Sequence, residues 1–192
     1  MIRPTGLTVA LLVVAHAVVA ARAADEAGLT HLVPSGGQQG KSVEVVLLGT
    51  LNGGDQRRAW ASHPGLSVEF GKKADRVQVV IKPDVPPGRH FLRMANAGAA
   101  SPLLPFVVSP IAEVSEKEPN GRIADAQKFD ATPRVVNGVL SESRDVDTFG
   151  VPLKAGQTLV VSMMAHTELG SPMDGLVPVS YTHLKLPTSD LV

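Results

Sequence analysis

The apolar residues of this chain come in short alternating runs, and proline or glycine ends each run before a helix of ordinary length is complete. Ser42–Leu48 reads SVEVVLL, with Val43, Val45 and Leu47 on one side. Leu66–Phe70 reads LSVEF, with Leu66, Val68 and Phe70 on one side. Residues 76–82 read RVQVVIK and align Val77, Val79 and Ile81. A period of two belongs to a strand with one buried face. Asp84-Val85-Pro86-Pro87-Gly88 is turn chemistry, because two prolines remove backbone donors and glycine tolerates a left-handed corner. Residues 90–95 (HFLRMA) and 103–108 (LLPFVV) close this first set of strands. A second set is predicted at 134–140, 147–153 and 158–165, and in the last of these Leu159, Val161, Met163 and Ala165 share a face. Between the sets, residues 110–122 are polar, contain Pro110 and Pro119 and have no apolar period, so they read as a linker or an extended lead-in strand. No long amphipathic helix is evident. The predicted fold class is all-β, with two β-sandwich modules.

The N-terminus has the three-part order of an export signal. Arg3 supplies the positive charge, residues 7–20 the apolar stretch, and Ala21-Arg22-Ala23 the small-x-small cleavage site. The apolar stretch of 14 residues is interrupted by His16 and is shorter than the roughly 20 needed to span a bilayer. A signal peptide over residues 1–23 is therefore expected, followed by a mature chain in the periplasm, at the cell surface or outside the cell. No membrane span is expected after cleavage.

Charge and composition exclude several classes. The 18 basic and 18 acidic residues leave no net footprint for nucleic acid or for an anionic membrane. The lack of cysteine excludes disulfides, zinc thiolates and thiol catalysis, so an exported domain of this kind relies on its core or on bound ions.

The second set of segments carries an ordered pattern: EKEPNG from Glu116, VNGVL from Val136, DVDTF from Asp145, KAGQTLVVSM from Lys154 and LGSPMD from Leu169. This order resembles the bacterial pre-peptidase C-terminal domain, a secreted sandwich often appended to extracellular proteases. The resemblance implies a jelly-roll-like sandwich over 123–178, incomplete because members of that family continue with further strands and an Asp-rich loop. The first set has HLVPSGGQQGKSVEVVLLGT from His31, PDVPPGRHFLRM from Pro83 and SPLLPF from Ser101. These look like an immunoglobulin-like domain of the IPT/TIG type, expected over 29–109. The final residues, VSYTHLKLPTSDLV from Val179, closely resemble a translated transposase adapter from DNA library preparation, with Lys185 where the usual read has threonine. Residues 179–192 are accordingly expected to be non-biological, which removes Tyr181 and His183 from any functional argument.

Among candidate chemistries, Gly36-Gly37-Gln38-Gln39-Gly40-Lys41-Ser42 superficially echoes a phosphate loop. Ser35 stands where that loop needs glycine, and a β-branched strand follows where it needs a helix, so a turn is the reading. His31, His63, His90 and His166 form no HxxxH or HExxH pair. No GxSxG elbow occurs, and Ser171 sits between Gly170 and Pro172 as in a turn. The best candidates are acidic. Glu116, Glu118 and Asn120 alternate along an extended segment, and Asp145 and Asp147 are also two apart in a loop. Oxygen donors on such segments suit calcium. Related collagen-binding sandwiches carry calcium at an equivalent lead-in, although Gly121 stands where those domains tend to have aspartate. Trp60, the single tryptophan, is expected in the sandwich core; exposed beside Arg57 and Arg58 it would instead stack on a sugar or a peptide.

These readings lead to a non-catalytic accessory or binding region of a larger exported bacterial protein, with an extracellular protein or polysaccharide as partner. Two alternatives stay open: the N-terminal part of a secreted hydrolase, such as a protease, whose catalytic domain lies elsewhere in the parent, and a structural cell-surface protein.

Overall fold

The computed structural model describes residues 27–53, 56–130, 133–173 and 175–180. The expected signal peptide, Tyr181, His183 and Lys185 lie outside these residues. Among the described residues the fold is all-β apart from the short helix at His166–Leu169 and short 3-10 turns such as Ile123–Asp125.

Eight strands build a two-sheet sandwich: β1 (His31–Val33), β2 (Gly36–Gln38), β3 (Ser42–Leu48), β4 (Arg58–Ala61), β5 (Leu66–Phe70), β6 (Arg76–Ile81), β7 (Gly88–Ala95) and β8 (Leu104–Ser109). The first sheet has the order β1-β3-β6-β5 and the second β2-β8-β7-β4. All neighbours are antiparallel except β2 and β8, which are parallel. With β1, β3, β5 and β6 as strands A, B, D and E, and β4, β7 and β8 as C, F and G, this is the strand order of an immunoglobulin-like sandwich. The chain crosses between sheets at Pro34-Ser35, where the Ser35 hydroxyl donates to the Leu32 carbonyl at 2.5 Å.

The alternation read from the sequence is the alternation that is buried. Val45, Leu47, Val77, Val79, Ile81 and Leu66 face Leu92, Met94, Leu104, Phe106 and Val108 across the interior, with Val43, Val68 and Phe70 packed at the margin. Cross-strand register places Val45 opposite Val77 and Leu66 opposite Ile81, so neighbours on one face bury each other. Strands β1, β2 and β4 are too short, or too poor in apolar alternation, to be legible in advance. Two of the three residues of β2 are glycines, and they are selected by space: a Cβ on Gly36 would stand 2.6 Å from the Val107 carbonyl oxygen, and one on Gly37 would stand 2.6 Å from Ile81 Cδ1.

Beyond Ser109 the architecture changes. β9 (Glu113–Ser115) pairs in parallel with β11 (Val135–Asn137), and β10 (Gln127–Lys128) pairs in parallel with β12 (Phe149–Gly150). Within the segment 110–122, strand structure is confined to β9, residues 113–115. The strands predicted at 134–140 and 147–153 shrink to three and two residues, and 158–165 forms no strand. A strand exists only where a neighbour accepts its hydrogen bonds, and 158–165 has no such neighbour among the described residues. Its side chains are correspondingly open, with Val160 85% exposed. A single-turn helix, α1 (His166–Leu169), follows and ends on Gly170 at φ +70°.

Candidate metal centre

The site is assembled by the two parallel ladders. Glu116 follows β9 directly, and its amide donates to the Asn137 carbonyl at 2.9 Å, which continues the β9–β11 pairing by one residue. Its Oε1 accepts the Val139 amide, so the carboxylate reaches across the end of β11. Asp147 lies two residues before β12, and the Thr148 amide donates to the Asn120 carbonyl at 3.1 Å. That bond draws the 116–120 segment against the 145–148 loop. Glu118 folds back, and its Oε2 accepts the Asn120 amide at 2.8 Å.

The result is a convergence of three carboxylates. One oxygen each from Glu116, Glu118 and Asp147 lies within 4.8 Å of the others. Asn120 is fully buried at 0% exposure, and both atoms of its side-chain amide make no hydrogen bond. Glu116 Oε2 and Asp147 Oδ1 are likewise buried and unpaired. Buried polar atoms without partners cost roughly 1–3 kcal/mol each; three of these four, Glu116 Oε2, Asn120 Oδ1 and Asp147 Oδ1, are oxygens that a cation could satisfy, while the Asn120 amide nitrogen is a donor. Glycine keeps the space open: a Cβ on Gly138 would lie 2.7 Å from Glu116 Oε2 and 3.4 Å from Asp147 Oδ2.

Electrostatics follow the geometry. Burial raises the Glu116 carboxyl above its ordinary range; the Val139 amide opposes this and the Asp147 charge adds to it. Burial also raises Asp147; the neighbouring Glu116 carboxyl and the Asn120 amide oppose this, and the charges of Asp145 and Glu118 add to it. Asp145 differs from the others. Its Oδ2 accepts the Ser141 amide at 2.6 Å and the Ser141 hydroxyl at 3.0 Å, and these bonds hold its carboxyl below the ordinary range. Four of the five sequence candidates therefore meet, while Asp145 closes its own loop and acts on the site through its charge. Gly138 was not legible as a site residue, because its role is to leave room.

The donor set is all oxygen, three carboxylates and an amide carbonyl, which suits a hard cation such as calcium and not a soft transition metal.

Other candidates are explained locally. The phosphate-loop look-alike is β2 and a turn, with Gly40 at φ +74° and the Lys41 amide donating to the Gln38 carbonyl. The His63 and His90 rings meet edge to face at 5.8 Å. His63 Nδ1 accepts the Gly65 amide, and His90 Nε2 is 2.8 Å from the Pro86 carbonyl oxygen. His166 Nδ1 lies 2.9 Å from the Ser171 carbonyl oxygen and closes the turn after α1. Trp60 corrects the sequence expectation. It lies on β4, the strand-C position, but is 53% exposed, because Ala61 is the β4 residue that packs against the core and Trp60 has the opposite parity. Among the described residues no helix is long and apolar enough to cross a membrane. No family model matches the chain, and no curated protein matches it.

Proposed function

We propose that this chain is a non-catalytic accessory and binding region of an exported bacterial protein, in which a calcium ion fixes the segment that follows the first sandwich. The observation that carries this reading is Asn120: a fully buried amide with no partner, beside three converging carboxylates. Glu116, Glu118, Asp147 and the Asn120 side-chain oxygen would hold the ion, which would neutralise their mutual repulsion and tie the two ladders together. The ordered pre-peptidase-like pattern and the export signal support the placement outside the cytoplasm, where calcium is plentiful.

Isothermal titration of the full chain with calcium is expected to give one site of about 10⁻⁴–10⁻³ M, the range of extracellular modules. Asp147→Asn and Gly138→Ala should each weaken it, the first by removing charge and the second by filling the cradle. A chain with no heat of binding and no calcium-dependent melting shift would refute the reading.

A further inference from the structure

The two sheets of the sandwich differ in charge in a way that the balanced composition conceals. The strands of the first sheet carry Glu44, Glu69 and Arg76. The strands of the second, β2, β4, β7 and β8, carry Arg58, Arg89 and Arg93 and no acidic residue. Register gathers these arginines on its outer face. Trp60 pairs with Arg93 and Arg58 with Ala95, while Leu92 and Met94 between them point into the core. Arg89, paired with Val107, shares that outward parity.

The face is divided. At the β8 side, Arg89 meets α1: its Nη1 donates to the Thr167 carbonyl at 3.3 Å and lies 3.7 Å from the Glu168 carboxylate. The β4 side is open. Trp60 is 53% exposed. Arg93 is exposed and uses only its Nε locally, donating to the Ser101 carbonyl at 2.8 Å. Among the described residues, neither Arg58 nor Arg93 has an ion pair. The hollows around Met163 and around Arg134 lie off this half of the sheet.

We propose that the open half of this face, Arg58, Trp60 and Arg93, binds an acidic polysaccharide. An exposed indole offers a stacking platform for a sugar ring, and the two guanidinium groups on the same face recognise carboxylates. The complementarity is one-signed, so binding weakens as salt rises. This names a partner for the proposed binding role and rests on that role, but not on the calcium site.

The test is binding of the full chain to polygalacturonate in EDTA, with dextran and polyglutamate as comparison polymers. Working in EDTA separates the outcome from the calcium reading. The expected result is salt-sensitive binding to polygalacturonate, weakened about tenfold by Trp60→Ala and by Arg58→Gln, with no binding to dextran. Both side chains are exposed, so the variants should melt as the parent does. No binding to polygalacturonate, or binding that Trp60→Ala leaves unchanged, would overturn the proposal. So would equally tight, Trp60-dependent binding to polyglutamate, which would assign the face to an acidic peptide.

Discussion

At the residue scale, the raised carboxyls of Glu116 and Asp147 set the sign of a pH effect. In the absence of a cation, the folded site holds protons more tightly than the unfolded chain. The stability associated with those protons is present below the ordinary carboxyl range and is lost as pH rises through the raised values. Calcium needs the deprotonated carboxylates, so protons compete with it in the same window. The melting shift produced by calcium should therefore be full at about pH 7 and shrink to nothing by about pH 4. Thermal melts with and without calcium across that range check this, and a shift that grew on acidification would contradict the assignment. The sequence made these residues legible because alternation along 116–120 aligns its oxygens. It could not show that Asn120 is buried without a partner, nor that Asp145 is taken up by Ser141, since both depend on how two loops meet. Trp60 was misread for a similar reason: composition names the residue, and a shift of one position decides which face it takes.

At the element scale, longer strands with clear apolar alternation were legible and short strands were not. β3, β5 and β6 declare themselves through valine alternation, and their register buries it. β2 contains no apolar side chain, and only its pairing to β8 makes it a strand. That pairing yields a prediction. Gly36 sits directly opposite Val107, and an added methyl would press on a carbonyl that the sheet holds in place. Gly36→Ala should cost about 1–3 kcal/mol of stability, as overpacking does at confined sites. Urea unfolding measures it, and an unchanged midpoint would mean that β2 is not held against β8. The failed strand at 158–165 teaches the converse: TLVVSMMA has the right alternation, but alternation describes a face, and a strand also needs an edge to pair with.

At the scale of the whole molecule, stability and the candidate site lie in different places. Every buried apolar residue among those described falls between Ala27 and Val108, while Asn120 is the one buried residue after Ser109. The first part is therefore held by a hydrophobic core, and the part after it by two short ladders and by whatever satisfies the carboxylates. Segments with little buried apolar surface open first, and a protease reads their open population. Limited proteolysis in EDTA should cut within 113–150 well before it touches the sandwich, leaving a resistant fragment that ends near Ser109. A ligand that binds only the closed form lowers the open population by the factor 1 + [L]/Kd, so calcium at about ten times its dissociation constant should slow these cuts about tenfold. The cutting rate inside the sandwich should not change, because none of the site residues contributes to its core. Equal slowing in both regions would indicate one cooperative unit. No slowing in either would leave the carboxylates of Glu116, Glu118 and Asp147 without the ion that their convergence calls for.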